Sequence, residues 1–298
     1  TEWLLTNSRG GFASGSIIGC NTRRYHGLLI GTLRPPSNRI ATLSNCLETL
    51  TVEGNSFSVS NFEFDHAMHP NGYLHLLEFC RDVGVHFEYH LEFTSLKKSI
   101  YLLPDSDVAA IVYDFSNVSR PFDFTVRPFA AMRDFHALRH SAVTLKSHPD
   151  EGFVSIWDPS SAVGRLALRC DQMQYEENPE WWYRFLYRTE RQRGQDCFED
   201  LWSPGRWNCH IEESRRIIFW AGLFESQQNC HQLADMELET AVDAITLREK
   251  ELWATSPPDP VCRKLYSAAG QFVIERTVND EITPTILAGY PWFLDWGR

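Results

Sequence analysis

Side chains alternate strictly between residues 85 and 93, which limits the backbone there to one kind of secondary structure. Every second residue is apolar or aromatic, and the residues between them are His86, Glu88, His90 and Glu92. A period of two places the apolar set on one face of a β-strand and the polar set on the other. The alternation therefore predicts a strand with one face in a hydrophobic core and the other in water.

Strand patterns continue through the first two-thirds of the chain. Similar runs occupy residues 110–115, 122–126 and 217–223. Glu53-Gly54-Asn55 separates two further strand-like runs and predicts a hairpin turn. Many strands with few helical stretches predict a mainly β fold, built as a large antiparallel β-sandwich over residues 1–225.

The pattern changes to helical spacing after residue 225. A linker helix is expected within residues 226–258, and its apolar positions are Ala234, Leu238, Ala241, Ile245 and Leu252. A proline-rich segment then ends this helix, and Asp259 predicts the N-cap of a second helix whose amphipathic pattern continues to Arg276. We expect residues 259–298 to begin a helical domain and the chain to be truncated inside it.

The charge of the chain excludes several classes of partner. Its 28 Lys and Arg against 39 Asp and Glu give a formal net charge of −11. Nucleic acids and anionic membrane surfaces require a basic footprint, so neither is an expected partner. No apolar run approaches the roughly 18 residues of a membrane span. The eight cysteines are dispersed without a C-x-x-C pair, which predicts reduced thiols in a cytoplasmic protein.

Motifs for cofactors and metals are missing from the sequence. Gly10-Gly11 precedes no phosphate-loop lysine, and no G-x-G-x-x-G follows a predicted strand. His86 and His90 share a strand face with acidic residues and could hold zinc, but we expect that face to be solvated. We therefore expect no cofactor and no metal.

Arg23, Arg24, Tyr25 and His26 form a dense polar cluster between a glycine-rich and an apolar segment. One interpretation is a loop that reaches a binding site and contacts substrate. The alternative is a strand end whose arginines pair with acidic residues across a domain interface. Of the two, we favour the structural alternative.

A second polar cluster contains Arg133, Asp134 and His136. An aspartate can orient a histidine, and histidine titrates near neutral pH, so acid–base chemistry is conceivable there. No nucleophile with a recognisable setting accompanies them, because G-x-S-x-G is absent from the sequence. A structural network, or the lip of a binding cleft, is the favoured interpretation.

The last ten residues combine aromatic rings with polar recognition groups. Trp292 and Trp296 offer stacking faces for a sugar ring, while Asp295 and Arg298 can hydrogen-bond its hydroxyls. The aspartate can also hold the arginine fork in place. The alternative is an aromatic loop that packs into a domain core.

Four stretches of the chain resemble bacterial and archaeal glycogen-debranching enzymes of the amylo-α-1,6-glucosidase type. Their most distinctive segments are Gly10-Gly11-Phe12-Ala13-Ser14-Gly15 with Asn21-Thr22-Arg23-Arg24-Tyr25-His26-Gly27, Met132-Arg133-Asp134-Phe135-His136, Asp200-Leu201-Trp202-Ser203-Pro204-Gly205, and Gly289-Tyr290-Pro291-Trp292-Phe293. Their order and spread cover nearly the whole chain. The resemblance implies a β-sandwich that leads by a linker helix into an (α/α)6 toroid and packs on it. It also implies that the terminal segment lines the glucose pocket of that toroid.

The activity implied by the resemblance is hydrolysis of α-1,6-linked glucose stubs on glycogen or another branched α-glucan, with water as the only cosubstrate. Hydrolysis without a covalent intermediate needs two carboxyl groups about 6.5–9.5 Å apart. No acidic residue here stands in a context that identifies it, and the resemblance implies that the pair lies beyond Arg298. We therefore assign no catalytic residue and expect this fragment to be inactive. Two alternatives stay open: a non-catalytic glycan-binding or scaffolding module, and a glucoamylase-like α-1,4-glucan hydrolase.

Overall fold

The computed structural model describes residues 1–278 and 281–291. The strands of these residues are β1 (Glu2–Thr6), β2 (Phe12–Ser16), β3 (Gly27–Arg34), β4 (Ser37–Val52), β5 (Asn55–Ser58), β6 (Asn61–Glu63), β7 (Met68–Asn71), β8 (Leu76–Arg81), β9 (Val85–Leu91), β10 (Thr94–Leu102), β11 (Val108–Ser116), β12 (Phe122–Asp134), β13 (Lys146–Asp150), β14 (Phe153–Trp157), β15 (Arg165–Arg169), β16 (Gln174–Leu186), β17 (Phe198–Ile211), β18 (Arg215–Phe224), β19 (Val273–Val278) and β20 (Glu281–Ile286). The α-helices are α1 (Arg188–Gln192), α2 (Gln227–Cys230), α3 (Leu238–Ala254) and α4 (Pro260–Gly270).

Two eight-stranded sheets form the body of the molecule. The first sheet has the order β1-β2-β3-β4-β12-β17-β16, with β5 paired to β4, and the second has the order β13-β14-β15-β18-β11-β10-β9-β8. Neighbouring strands in both sheets are antiparallel. The large core between the sheets is aliphatic and aromatic. The prediction of a mainly β, antiparallel sandwich is confirmed.

Strand β9 shows why the alternating pattern is informative and where it misleads. Phe87, Tyr89 and Leu91 are buried in the core between the sheets, while Glu88 is exposed on the opposite face. The prediction that this second face is solvated is wrong at His86, which is buried. Its Nδ1 lies 2.8 Å from Ser99 Oγ, on the strand position that pairs with His86, and its Nε2 lies 2.8 Å from Asp82 Oδ1 in the turn before β9.

The predicted hairpin turn joins β4 to β5. Glu53 and Gly54 are its two central residues, with φ values of 50° and 81°, and Val52 pairs with Asn55. Positive φ at both central positions is the geometry that suits the twist of a two-residue hairpin. Glycine relieves the strain of that backbone at the second position.

The helical segment after the sandwich is partly as predicted. Helix α3 packs Leu238 and Ala241 against the outer face of the second sheet. Asp259 caps α4 by accepting hydrogen bonds from the backbone N–H groups of Val261 and Cys262, at 2.9 and 3.0 Å. The prediction that this helix continues to Arg276 is wrong.

Helix α4 ends at Gly270, and the chain turns back into a β-hairpin of β19 and β20. The reason lies in the residues after the glycine. Val273 and Ile274 are β-branched and adjacent, a combination that favours strand over helix. Ile274 is buried against the outer face of the first sheet, so tertiary packing reinforces this local preference.

A buried polar network ties the start of the chain to the turn between β10 and β11. Asp107 accepts hydrogen bonds from Asn7 Nδ2, Arg9 Nε and Thr32 Oγ1, at 3.0, 3.0 and 3.2 Å. Gly11 lies directly against this network, and a Cβ there would collide with Asp107 Oδ1 and lie 2.8 Å from Asn7 Nδ2. Position 11 therefore requires glycine, because Asp107 and Asn7 lie too close to its backbone for a Cβ.

We expect Gly11→Ala to lower the free energy of unfolding by about 1–3 kcal/mol, the usual cost of forcing extra atoms into a packed site. Urea unfolding followed by tryptophan fluorescence measures this. Gly54→Asn is the control, because a Cβ there meets no atom within 4 Å and asparagine tolerates positive φ. An unchanged midpoint for Gly11→Ala would show that the hydrogen bonds of Asp107 rearrange without loss of stability.

Candidate functional site

The structure brings together the two polar clusters that the sequence separates by about a hundred residues. The Arg24 guanidinium donates through Nη1 to the carbonyl of His136 at 2.8 Å. The Tyr25 hydroxyl lies 3.1 Å from His136 Nδ1, and Arg133 Nη2 donates to the carbonyl of Arg24 at 2.9 Å. The loop before β3 and the end of β12 therefore form one unit.

A third segment, the α1 region before β17, completes this unit. Arg24 Nη2 donates to the carbonyl of Asp196 at 2.7 Å, and Arg24 Nε lies 3.7 Å from Glu190 Oε2. Glu199 accepts hydrogen bonds from Arg133, the Tyr187 hydroxyl and the backbone N–H of Arg139. We call the resulting set the junction cluster; its members are Arg24, Tyr25, Arg133, His136, Tyr187, Glu190 and Glu199.

Sequence reasoning missed Glu190, Glu199 and Tyr187. The only signal was that Glu199 directly precedes residues 200–205, one of the segments that carry the family resemblance. An isolated acidic residue in such a stretch has no visible role until its basic partner is placed. Glu190 and Glu199 are both wholly buried, a setting in which carboxylates normally require a charge partner.

Electrostatics in the junction cluster favour a charged Arg133–Glu199 pair beneath an uncharged Tyr25 and His136. Burial alone would lower the pKa of Arg133, but Glu199 outweighs it and raises that pKa above its usual value. Burial raises the pKa of the Tyr25 hydroxyl and lowers the pKa of His136. At neutral pH His136 is therefore uncharged, and its imidazole can both accept and donate a hydrogen bond.

Arg23 and His26 both contact Glu2. Arg23 Nε donates to Glu2 Oε1 at 2.8 Å, and His26 Nε2 lies 3.5 Å from the same oxygen. The backbone N–H of Thr22 donates to His26 Nδ1 at 3.1 Å. Arginine paired with an acidic residue is the structural alternative stated above, except that Glu2 belongs to the same sandwich. His26 is buried, so any contribution to binding passes through the loop it holds.

Acidification should weaken the contacts of His26 with Glu2 and Thr22 that hold this loop. Burial lowers the pKa of His26 below 6.5. The neutral imidazole therefore stabilises the fold fully above pH 6.5, and this contribution is lost as the pH falls below 6.5. The hydrogen bond from His26 is the largest of the causes that lower the pKa of Glu2 to about 2, so the Glu2 contribution is lost only between pH 4.5 and about 2. We expect the urea midpoint to fall between pH 7.5 and 5.5.

His26→Asn should reduce that pH dependence, because asparagine keeps an acceptor for Thr22 N–H and does not titrate. His66→Gln is the matched control, since the side chain of His66 is 93% exposed. Equal pH dependence in His26→Asn and the native chain would rule out His26 as the titrating group.

Above the buried base, the junction cluster presents an exposed polar rim. Asp134 and His136 are exposed, and the Asp134 carboxylate accepts a hydrogen bond from the backbone N–H of His136 at 2.9 Å. His140 and Asp196 are also exposed, with their side chains 3.9 Å apart. Carboxylates and imidazoles fixed on a rigid base are suited to binding hydroxyl groups.

Among residues 1–278 and 281–291, no group of three His, Cys, Asp or Glu is arranged to hold a metal ion.

Trp292, Asp295, Trp296 and Arg298, predicted to bind sugar, lie outside the described residues. The chain that leads to them is held firmly at Tyr290. Its ring packs edge-on against Phe12 with centroids 5.3 Å apart, and its carbonyl accepts a hydrogen bond from Arg39 Nη1 at 3.0 Å.

Arg39 connects this anchor to the junction cluster. Its guanidinium carbon lies 5.2 Å from the Tyr290 ring centroid and 5.4 Å from that of Phe135, the residue before His136. Such cation–π contacts are strongest when desolvated, and Arg39 is wholly buried. The last described residues and the junction cluster therefore share one face of the first sheet.

The residues of the junction cluster lie within a segment that matches a known protein family. A family model described as glycogen debranching enzyme N terminal matches residues 1–218. The chain belongs to this family. The match contains every member of the junction cluster and ends within β18. No curated protein sequence matches the chain.

Two solved structures resemble the debranching-enzyme domain at low identity. A bacterial glucoamylase complexed with acarbose is 8% identical, with a TM-score of 0.43, over 84% of this chain and 35% of that one. A polysaccharide lyase is 11% identical, with a TM-score of 0.36, over 78% of this chain and 34% of that one. The chain thus spans about a third of the length of each of these two proteins.

No helix within the described residues is long and apolar enough to cross a membrane.

Proposed function

We propose that this chain is the N-terminal part of a cytoplasmic amylo-α-1,6-glucosidase that removes α-1,6-linked glucose stubs from glycogen or a similar branched α-glucan. The observation that carries the proposal is the junction cluster. Three stretches that resemble the family meet there, around a fully buried Arg133–Glu199 pair, beneath an exposed rim of hydroxyl-binding groups. In this proposal the rim contacts the glucan, and Trp292, Asp295, Trp296 and Arg298 line the glucose pocket.

The proposed division of the chain is a sandwich over residues 1–225, a linker helix over 226–258, and the beginning of an (α/α)6 domain from 259. Exposed apolar side chains after the linker support it. Leu265 and Val261 of α4 are 63% and 65% exposed, and Ile282 and Ile286 of β20 are 70% and 63% exposed. Apolar surface of this kind is normally covered by another part of a protein. In the proposal it is covered by the rest of the helical domain, on which the sandwich packs.

Catalysis in this proposal needs two carboxyl groups and water, and no cofactor. We assign neither carboxyl group to the described residues. The sandwich contributes position. Glu199 holds Arg133, which donates to the backbone carbonyl of Arg24. Arg24 lies 3.7 Å from Glu190 and in turn holds the backbone carbonyls of His136 and Asp196. A rigid base of this kind fixes the rim before the glucan arrives and so reduces the entropy lost on binding.

The decisive experiment compares the full-length gene product with this chain. Glucose release is measured from a limit dextrin that carries single α-1,6 glucose stubs, with linear maltooligosaccharides as the control substrate. We expect release by the full-length protein alone, and from the branched substrate alone. Release from linear substrate at equal rate would favour the α-1,4 hydrolase, and no release by either protein would favour a glycan-binding module.

A variant of the rim tests its part in binding. In the full-length enzyme, His136→Ala should raise KM for the branched dextrin by about two- to tenfold with kcat unchanged, the effect of losing one hydrogen bond to bound substrate. His90→Ala is the matched control, because His90 is exposed on the second sheet. A KM that stays at the native value in His136→Ala would remove the rim from the binding site.

A further inference from the structure

The sandwich contains a separate pocket at the end where β13 and β16 form the open edges of the two sheets. Its volume is about 260 Å³. We call it the end pocket; its lining residues include Asp150, Gly152, Phe153, Asp171, Tyr175 and Trp207. It lies far from the junction cluster, because Tyr175 is near the start of β16, whereas Tyr187 of the junction cluster directly follows its end at Leu186, and the strand between them is roughly 30 Å long.

One wall of the end pocket is aromatic and held in place. The rings of Tyr175 and Trp207 have centroids 4.6 Å apart and planes tilted by 45°. Trp207 packs edge-on against Phe219 at 5.1 Å, and the Tyr175 hydroxyl donates to the carbonyl of Pro204 at 3.0 Å. Trp207 is only 2% exposed, so the ring that can stack on a ligand is that of the half-buried Tyr175, which these contacts hold in place.

The mouth of the end pocket carries carboxylates. Asp150 accepts a hydrogen bond from Gln227 Nε2 at 2.8 Å, and Asp171 is paired with Arg169 and is about half exposed. No lysine or arginine is among the lining residues that the structure describes, so the pocket disfavours anions. Burial raises the pKa of the lining Cys170 to about 12, so its thiol stays protonated at neutral pH.

We infer that the end pocket is a second carbohydrate-binding site, which takes one neutral pyranose ring of an α-glucan chain. The volume lies just below the range of about 300–1,000 Å³ that suits drug-sized ligands, so one ring fits. A pyranose has an apolar face for the Tyr175 ring and hydroxyls for the carboxylates at the mouth. The choice of α-glucan rests on the proposed function, and the site would hold the polymer apart from the point of cleavage.

The test measures binding to this chain, without the rest of the enzyme. Titration of maltotriose should give saturable binding with a Kd on the order of 1 mM, as expected for a single-ring contact. Tyr175→Ala, which removes half of the aromatic wall, should weaken binding at least tenfold. Glucuronate should bind more weakly than glucose, because its carboxylate meets those of the pocket.

A second variant guards against a folding defect in Tyr175→Ala. Gly152 lines the mouth with φ of 83°, and a Cβ there meets no atom within 4 Å. Gly152→Asn therefore places a side chain at the mouth without disturbing the core, and it should weaken maltotriose binding. Gly54→Asn, at φ of 81° in the β4–β5 turn, makes the same change away from the pocket and should bind like the native chain.

Equal binding by Gly152→Asn, Tyr175→Ala and the native chain would overturn the inference, as would the absence of binding to the native chain. Either result leaves the proposed function intact if the full-length protein releases glucose from limit dextrin. Conversely, maltotriose binding lost in both variants supports the end pocket even if the full-length protein proves inactive.

Discussion

Replacing Glu199 by alanine should lower the free energy of unfolding by about 3–5 kcal/mol, the usual cost of removing one partner from a buried ion pair. Glu199 and Arg133 are both nearly inaccessible to solvent. Without the carboxylate, the Arg133 guanidinium stays protonated in the interior but loses the counter-charge that outweighs burial and raises its pKa. The Tyr187 hydroxyl and the Arg139 N–H lose their acceptor as well.

The measurement is urea unfolding of the variant beside Glu176→Ala. Glu176 also pairs with an arginine, Arg206, but both side chains are nearly half exposed, and such pairs contribute little to stability. We expect the midpoint of Glu176→Ala to stay close to the native value. A Glu199→Ala midpoint equally close to native would mean that Arg133 finds another partner, and the junction cluster would lose its role as a rigid base.

The sandwich itself was predictable because its signals are local. The alternation of β9 and the turn at Glu53-Gly54 each report on a few neighbouring residues, and the structure has the strand and the turn there. The prediction for α4 used the same kind of reasoning and went too far. Phe272 and Arg276 continue the helical spacing, but the packing of Ile274 on the first sheet decides the outcome, and a local pattern contains no information about that contact.

The candidate site was predictable only in pieces. Arg24, Tyr25, Arg133 and His136 were identified as two clusters, and nothing in their spacing indicated that they touch. Their contact depends on the pairing of β4 with both β3 and β12, which brings the loop before β3 near the end of β12. Glu199 was missed for the same reason, since its partner is 66 residues away in the sequence.

The core between the sheets contains a second buried charge pair that no sequence pattern revealed. Lys98 Nζ donates to Glu48 Oε1 at 2.5 Å, and the same carboxylate accepts hydrogen bonds from the hydroxyls of Tyr113 and Ser60. Glu48 lies on β4 of the first sheet, while Lys98 lies on β10 of the second. The pair therefore links the two layers through a region that is otherwise apolar.

We expect Lys98→Met to lower the free energy of unfolding by about 3–5 kcal/mol, because it leaves the Glu48 carboxylate buried without its cation. Glu48→Gln should cost a similar amount by stranding the Lys98 ammonium. The double variant, Glu48→Gln with Lys98→Met, should be more stable than either single variant. It leaves no buried charge, and the glutamine oxygen can still accept from Tyr113 and Ser60.

Urea unfolding of the four proteins gives the coupling energy between positions 48 and 98 directly. A double variant close to the native stability would show that the pair does not stabilise the sandwich relative to a neutral core, as found when buried ion pairs elsewhere are replaced by apolar groups. Its role would then be to fix how the two sheets face each other, since only one alignment lets β10 present an ammonium to Glu48. If instead the losses of stability in the two single variants add, so that the double variant is the least stable, each residue stabilises the sandwich through its own packing contacts.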